Sequence, residues 1–194
     1  MPFIHGFKAR KLDNIDGIVL PEDLAERAFD VLHGHFVADQ FDSYVSRPDA
    51  FRTVVFRHPL DRMVSHYSYW QRSGGNPTHR VPISFDAMMD FVDFCFMPKL
   101  QNYQAQAIGS LDLKDFGAVG TTEHLTSFVN QVLTAFGKEK VAEQPVLKRA
   151  PLQQATKLGI GDIVADPGFM RSFESFHSRD MELYAAACQI SASN

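Results

Sequence analysis

The chain has 194 residues, of which 45% are hydrophobic and 22% charged, and its formal net charge is −4. This length allows one good core, so we predict a single domain over residues 1–194, and the acidic balance argues against a general nucleic-acid binder. No segment reaches the roughly 20 uninterrupted apolar residues of a membrane span, and the N-terminus MPFIHGFKARKLDN lacks the apolar core of a signal peptide. We therefore expect a soluble, cytoplasmic protein without a transmembrane segment.

The first part of the chain predicts a helix, a buried strand and a second helix. LPEDLAERAFDVL (20–32) opens with Pro21 and acidic residues, which the dipole of a helix favours in its first turn. TVVF (53–56) lacks alternation and is typical of a strand buried on both faces in a parallel sheet. Pro59 then begins a helix with one buried face. The apolar residues of that face are Leu60, Met63, Val64, Tyr67 and Trp70.

The second part repeats this order. SFDAMMDFVDF (84–94) predicts a helix with Ser84 as N-cap, and FGAVG (116–120) predicts another buried strand. The segment TTEHLTSFVNQVLTAFG carries an apolar stripe and predicts a helix that Gly137 terminates. A last helix is expected over roughly 169–188. Strand followed by helix, twice, predicts an α/β fold with a mainly parallel central sheet flanked by helices.

Arg57 directly follows the predicted TVVF strand, where α/β proteins bind ligands because backbone N–H groups and the dipole of the next helix favour an anion. Its guanidinium matches phosphate oxygens, and Ser65 adds a hydroxyl on the following helix. Arginines are concentrated in this part of an otherwise acidic chain, which favours a local anion site. In the alternative interpretation, Arg57 and Arg62 only pair with Asp61 or other carboxylates.

The segment RHPLDRMVS (57–65) resembles the R-D-P-x-x-R-x-x-S segment of sulfotransferases that use 3′-phosphoadenosine-5′-phosphosulfate (PAPS). The resemblance implies that Arg57 and Ser65 hold the 3′-phosphate of the nucleotide. HGHF is similar to a segment of the carbohydrate sulfotransferases related to the heparan sulfate uronyl 2-O-sulfotransferases and their bacterial relatives. LPEDL, QNYQAQAIG, VGTTEHL and DMELYAAA resemble further segments of this family in the same order. His58 replaces the Asp of the family motif, at a position outside the phosphate clamp.

His33 and His35 are two residues apart, so their side chains project to one face of an extended backbone. A neutral imidazole can take the proton from a sugar hydroxyl as that oxygen attacks sulfur. The resemblance implies that His35 is this general base and that His33 orients the substrate or the base. Two alternatives stay open: both histidines are structural, or they bind a metal together with Asp39. Two histidines and one carboxylate make a weak metal site, and we expect no metal.

Two further basic segments bear on the nucleotide. VLKRAP (146–151) predicts a loop, and the resemblance implies that Lys148 and Arg149 contact the nucleotide phosphates, with a solvated charged loop as the alternative. The family loop P-K-x-x-[GS]-T, which wraps the 5′-phosphosulfate, has no counterpart here. FIHGFKAR (3–10) places Lys8 after a strand-like start but lacks the rest of that loop. We therefore expect an N-terminally incomplete form of the fold, with weaker electrostatic stabilisation of the transferred group.

The resemblance implies a PAPS-dependent sulfotransferase with the P-loop-NTPase-like sulfotransferase fold. It would move a sulfuryl group from PAPS to a hydroxyl of a carbohydrate-type acceptor and release adenosine 3′,5′-bisphosphate (PAP). The alternative is a catalytically impaired nucleotide-binding or interaction protein that retains the 3′-phosphate site. A P-loop kinase is not expected, because the sequence contains no G-x-x-x-x-G-K-[ST].

Overall fold

The computed structural model of the chain describes residues 9–13, 31–35, 37–41, 51–73, 89–142 and 155–193. The chain divides into a smaller compact unit, Met1–Ala50 with Gln106–Leu111, and a larger one, Phe51–Ala105 with Asp112–Asn194. In the described ranges each unit contains one pair of parallel strands, and most described residues are helical. The predicted broad class, α/β with parallel strands, is therefore confirmed. The single domain over residues 1–194 stays a prediction.

The helices labelled in chain order are α1 (Pro59–Ser73), α2 (Phe91–Cys95), α3 (Tyr103–Ile108), α4 (Leu125–Ala135), α5 (Gly161–Ala165), α6 (Pro167–Phe176) and α7 (Ser178–Ser193). Short 3-10 helices occur at Ala38–Phe41, Pro98–Leu100, Leu113–Asp115 and Thr122–His124. None of the helices in the described part of the chain is long and apolar enough to cross a membrane.

Strands β1 (Ala9–Asp13) and β2 (Val31–His35) form the parallel pair of the smaller unit. The helix predicted over 20–32 is wrong at Val31 and Leu32, because both residues lie in β2. An apolar Val-Leu pair fits a helix or a strand, and only the pairing with β1 decides between them. The rest of that predicted helix lies outside the described residues.

Strands β3 (Thr53–Phe56) and β4 (Ala118–Thr121) form the parallel pair of the larger unit. The strand predicted over 53–56 is confirmed, and the one predicted over 116–120 begins two residues late and ends one residue later. All four residues of β4 are buried. In β3 only Phe56 is fully buried, so the expected burial on both faces holds for β4 and not for the whole of β3.

The core of the larger unit forms around one face of α1, as predicted. Leu60, Met63, Val64, Tyr67 and Trp70 are all buried and belong to one apolar cluster with residues of α2 and α6. The Tyr67 ring lies edge-on to Phe91, with centroids 5.3 Å apart, and the Trp70 ring lies edge-on to Phe94 at 5.2 Å. Such aromatic pairs stabilise a core beyond the area that they bury. This packing fixes the direction of α1, and with it the direction of the residues at its start.

Helix α2 starts later than predicted. Asp90 is its N-cap, since its Oδ1 accepts the N–H of Asp93 at 2.8 Å. The helix predicted over 84–94 is therefore wrong at positions 89 and 90, and residues 84–88 lie outside the described residues. Asp and Ser are both good N-caps, so residue type alone did not indicate the start at Asp90.

The helix predicted over 169–188 is two helices, α6 and α7, which are separated at His177. The His177 ring is completely buried and hydrogen-bonds to the backbone of Asn102 and of Cys95. These bonds stabilise the interruption between the two helices. An apolar pattern does not reveal such a break, because the residues on both sides keep helical spacing. The start of α6 is a local feature: the Asp166 side chain caps its first turn by accepting the N–H of Phe169 at 2.6 Å.

Helix α4 ends at Ala135, and Gly137 follows as the predicted terminating glycine. Gly137 has a φ of +62°, and the N–H of Lys138 donates to the carbonyl of Leu133 at 2.8 Å, which is the hydrogen bond of a Schellman motif. The predicted apolar stripe of this helix is only partly covered. Leu133 is buried, whereas Leu125 and Phe136 are 43% and 46% exposed.

Candidate functional site

The candidate site lies at the carboxyl edge of the β3–β4 pair. The two strands end side by side, with Phe56 opposite Thr121. Arg57 directly follows β3, and Glu123 lies two residues beyond β4 in the turn that leads into α4. Ligands bind at this edge of parallel sheets, because loops and helix N-termini with unpaired N–H groups meet there. Arg57 therefore lies where the strand and helix pattern of the sequence places it.

The backbone of Arg57 is held by the side-chain amide of Gln104. The Arg57 N–H donates to Gln104 Oε1 at 2.9 Å, and Gln104 Nε2 donates to the Arg57 carbonyl at 2.9 Å. Gln104 is only 4% exposed, so water cannot easily replace these hydrogen bonds. The amide pairs with the Arg57 peptide as a neighbouring strand would, and this fixes the point from which the guanidinium projects.

Arg62 brings a second guanidinium to the same region from near the start of α1. Its Cζ lies 4.7 Å from the centroid of the Tyr103 ring, which is a cation–π contact. Burial lowers the pKa of Arg62, and the charge of Arg57 lowers this pKa further, while Tyr103 and Asp180 oppose the change. The Arg62 Nε is buried and has no hydrogen-bond partner within the described ranges. A partly unpartnered guanidinium close to a second cation is unfavourable by itself, so an anion bound here would stabilise both.

Within the described residues, neither Arg57 nor Arg62 forms an ion pair. Asp61 faces His58 instead, with 3.9 Å between Asp61 Oδ1 and His58 Nδ1. Burial raises the pKa of the Asp61 carboxyl, and His58 and then Arg57 oppose that rise. Arg57 is thus near enough to act on Asp61 through its charge without being tied to it. This geometry does not favour the alternative in which the two arginines serve only as ion-pair partners of Asp61.

Another part of the same edge is acidic. Glu123 adds to the rise in the pKa of Asp61 for which burial is the main cause. Tyr184 of α7 lies edge-on to the His58 ring, with centroids 5.2 Å apart, and burial, then Cys188 and Glu123, raise the pKa of its hydroxyl. Carboxylates repel an anion and accept hydrogen bonds from hydroxyl or amino groups. The edge therefore suits a ligand that presents an anionic group to the arginines and hydrogen-bond donors to the carboxylates.

Ser65 lies in α1, about 9 Å along the helix axis from Pro59 at 1.5 Å per residue. It is half-buried, and it shares one face of the helix with Asp61 and Arg62, which precede it by four and three residues. Its hydroxyl forms no hydrogen bond with another described residue. Ser65 is thus on the helix face that carries Arg62.

His33 and His35 lie in β2 of the smaller unit, whereas Arg57 and Ser65 lie in the larger unit. The backbone at both histidines is extended. Asp39, the third ligand of the metal alternative, accepts the N–H of Ser110 at 2.7 Å. The described part of the chain contains no group of three His, Cys, Asp or Glu residues that could hold a metal ion.

Lys8, Lys148 and Arg149 lie outside the described residues. Gln104 and Tyr184 were not among the residues singled out from the sequence, and Arg62 was considered there only as an ion-pair partner of carboxylates. These residues lie in segments that resemble the sulfotransferase family, QNYQAQAIG, DMELYAAA and RHPLDRMVS. The resemblance covers these segments, but it did not indicate which of their side chains meet.

No family model matches the chain, and no curated protein or solved structure matches it either. These comparisons therefore assign no family.

Proposed function

We propose that the chain binds PAPS at the carboxyl edge of β3 and transfers its sulfuryl group to a hydroxyl of a carbohydrate-type acceptor. One observation carries the proposal: Arg57 at the end of β3 and Arg62 near the start of α1 form no ion pair within the described residues, and the Arg62 Nε is buried there without a hydrogen-bond partner. Arg57 and Ser65 hold the 3′-phosphate, and Lys148 and Arg149 contact the nucleotide phosphates. The P-loop-NTPase-like sulfotransferase fold belongs to the same proposal.

The proposed reaction is an in-line displacement at sulfur. The acceptor oxygen forms a bond to sulfur while the bond between sulfur and the bridging phosphate oxygen of PAPS breaks. PAP leaves with the electron pair of that bond, and the proton of the acceptor hydroxyl passes to His35. His33 orients the substrate or the base, and no metal takes part in the proposed step.

A second candidate is a protein that binds the nucleotide without turning it over. It is favoured by how the proposed residues are divided between the two units. The larger unit contains Arg57, Arg62 and Ser65, and the smaller unit contains His33 and His35. Binding of the 3′-phosphate therefore needs only residues of the larger unit.

One assay distinguishes the two candidates. The protein is incubated with PAPS labelled at sulfur and with a panel of oligosaccharides that carry free hydroxyl groups, and both PAP release and label transfer are measured. The first candidate predicts PAP release that depends on the acceptor and is matched by labelled product. Binding of PAPS without acceptor-dependent release supports the second candidate, and failure to bind either PAPS or PAP contradicts both.

A further inference from the structure

Gln104 connects the proposed anion site to a buried network of hydrogen bonds. Its side-chain amide bonds both the N–H and the carbonyl of Arg57, each at 2.9 Å, across 47 residues of sequence. Within the described residues these bonds fix the Arg57 backbone one residue beyond the end of β3. A guanidinium on a long side chain binds an anion better when its backbone is already fixed. Conformational freedom that is lost only on binding reduces the affinity.

Gln104 is itself held by Asp180, which is completely buried. The Asp180 carboxylate accepts the backbone N–H of Gln104 at 3.1 Å and that of Ala105 at 2.8 Å. These are N–H groups of the first turn of α3, so Asp180 caps this helix from α7. The capping is reciprocal, since Asn102 Oδ1 accepts the N–H of Asp180 at 3.2 Å at the start of α7.

His177 extends the network beyond Asn102. The N–H of Asn102 donates to His177 Nδ1 at 3.3 Å, and Asn102 has the positive φ of +50° that Asn tolerates better than most residues. His177 Nε2 lies 2.9 Å from the carbonyl of Cys95. The first turn of α3 is thus fixed through buried groups of α2 and α7, and the Gln104 side chain transmits this rigidity to Arg57.

We propose that Gln104 is a positioning residue that sets the Arg57 guanidinium for the anionic ligand, an inference that depends on the proposed function. The contribution of Gln104 to affinity then acts through Arg57. In a binding measurement, the two residues should behave as one unit and their effects should not add. A residue that only stabilises the fold would change the melting temperature, but its effect on binding would not depend on whether Arg57 is present.

The test is calorimetric titration of the full chain with PAP. Gln104→Met has a similar length and removes both hydrogen bonds, so it should weaken PAP binding by roughly tenfold. Arg57→Ala should weaken it at least as much, and the double variant should be no weaker than Arg57→Ala alone. Gln106→Met, the same substitution at an exposed position of α3, is the matched control and should bind as the wild type does.

The outcomes separate this inference from the proposed function. Wild-type affinity in Gln104→Met, or effects of Gln104→Met and Arg57→Ala that simply add, would overturn the positioning role and leave the proposed function standing. A wild type that binds no PAP would overturn both. If Gln104→Met does not fold, Gln104→Asn serves instead, because it keeps a neutral amide that is one methylene too short to bond both the N–H and the carbonyl of Arg57. It should weaken binding at least fivefold or so, and unchanged affinity would again overturn the inference.

Discussion

At the scale of single residues, His177 shows how a buried polar side chain determines local structure. Asn102 donates its N–H to His177 Nδ1, so this nitrogen carries no proton, and Nε2 must carry it and donate to the carbonyl of Cys95. Protonating Nδ1 would place an N–H against the Asn102 N–H. The neutral ring is therefore the form that the folded state requires. Among the described residues, Asp180 is the titratable group whose charge acts on the ring, and the backbone carbonyl of Cys95 acts on it through a hydrogen bond.

The folded state should consequently lose stability in mild acid. Burial, the largest cause, lowers the pKa of His177 below its ordinary value of 6.5, against opposing effects of the Cys95 carbonyl and Asp180. As the pH falls below 6.5, the unfolded chain binds the proton first, so the free energy of unfolding decreases until the folded-state pKa is reached. Above the unfolded pKa this contribution is constant. Urea unfolding of the wild type and of His177→Gln at several pH values measures it.

The comparison between these two proteins is the control. His177→Gln should be less stable than the wild type near neutral pH, because it lacks the paired ring. Between neutral pH and about pH 5 it should lose less stability, because it has no imidazole to protonate at this position. Parallel stability curves over this range would show that His177 is not the titrating group.

His35 is the residue on which turnover depends in the proposed function. A base that accepts the proton only in the transition state affects turnover and not donor binding, so His35→Ala should lower kcat by about 10² to 10⁴ with nearly unchanged PAPS affinity. The rate should also fall as the pH drops through the ordinary imidazole pKa, near 6.5, because imidazolium accepts no proton. Steady-state kinetics with PAPS and an acceptor supply both measurements.

His33→Ala is the natural companion variant and should have a smaller effect, since orientation is its proposed role. The metal alternative predicts a different result: either substitution would remove a bound ion, and a chelator would abolish activity of the unmodified protein. Wild-type turnover and pH dependence in His35→Ala would rule out the general-base role.

At the scale of elements, local chemistry decides some boundaries and tertiary contacts decide others. The start of α1 at Pro59 and the end of α4 before Gly137 follow from the fixed φ of proline and the positive φ that glycine allows, so both were predictable. The break at His177 was not, because its hydrogen bonds reach residues 75 and 82 positions away. The residues of the candidate site also differ in whether local sequence predicts them. Arg57 could be placed from a strand followed by a helix, whereas Gln104 could not, because its bonds to Arg57 span 47 residues.

The end of α4 gives a direct test at this scale. Gly137 has a φ of +62°, and among the described residues other than its two chain neighbours no atom lies within 4 Å of the position that a Cβ would occupy. Replacing it by alanine therefore introduces backbone strain without a clash there. Gly137→Ala should lower the free energy of unfolding by about 1 kcal/mol. Chemical denaturation of both proteins measures the difference.

Gly161→Ala is the matched control. Gly161 is the first residue of α5, has no positive φ, and its added Cβ would lie 3.4 Å from Thr156 Oγ1. Alanine there should leave stability unchanged or raise it by up to about 1 kcal/mol, because alanine favours a helix more than glycine does. A Gly137→Ala protein as stable as Gly161→Ala would contradict the assigned role of the Schellman motif.

At the scale of the whole molecule, the proposed function divides between two units. The larger unit carries the arginines at the carboxyl edge of β3 and β4, the Gln104 contact and the buried core that directs α1. The smaller unit carries β2 with His33 and His35. Nucleotide binding and turnover should therefore respond to different substitutions, which makes the binding site the central claim and allows it to be tested without an acceptor.

The most direct test of that claim is calorimetric titration of the wild type with PAP and, separately, with adenosine 5′-monophosphate. The account predicts that PAP binds and that the monophosphate binds much more weakly, because only PAP carries the 3′-phosphate. Arg57→Ala should weaken PAP binding by roughly ten- to a hundredfold, since charge-assisted hydrogen bonds contribute about 1.5 to 3 kcal/mol each. Arg72→Ala, at the exposed end of α1, should bind as the wild type does. No binding of PAP, or equal binding of the two nucleotides, would contradict the account.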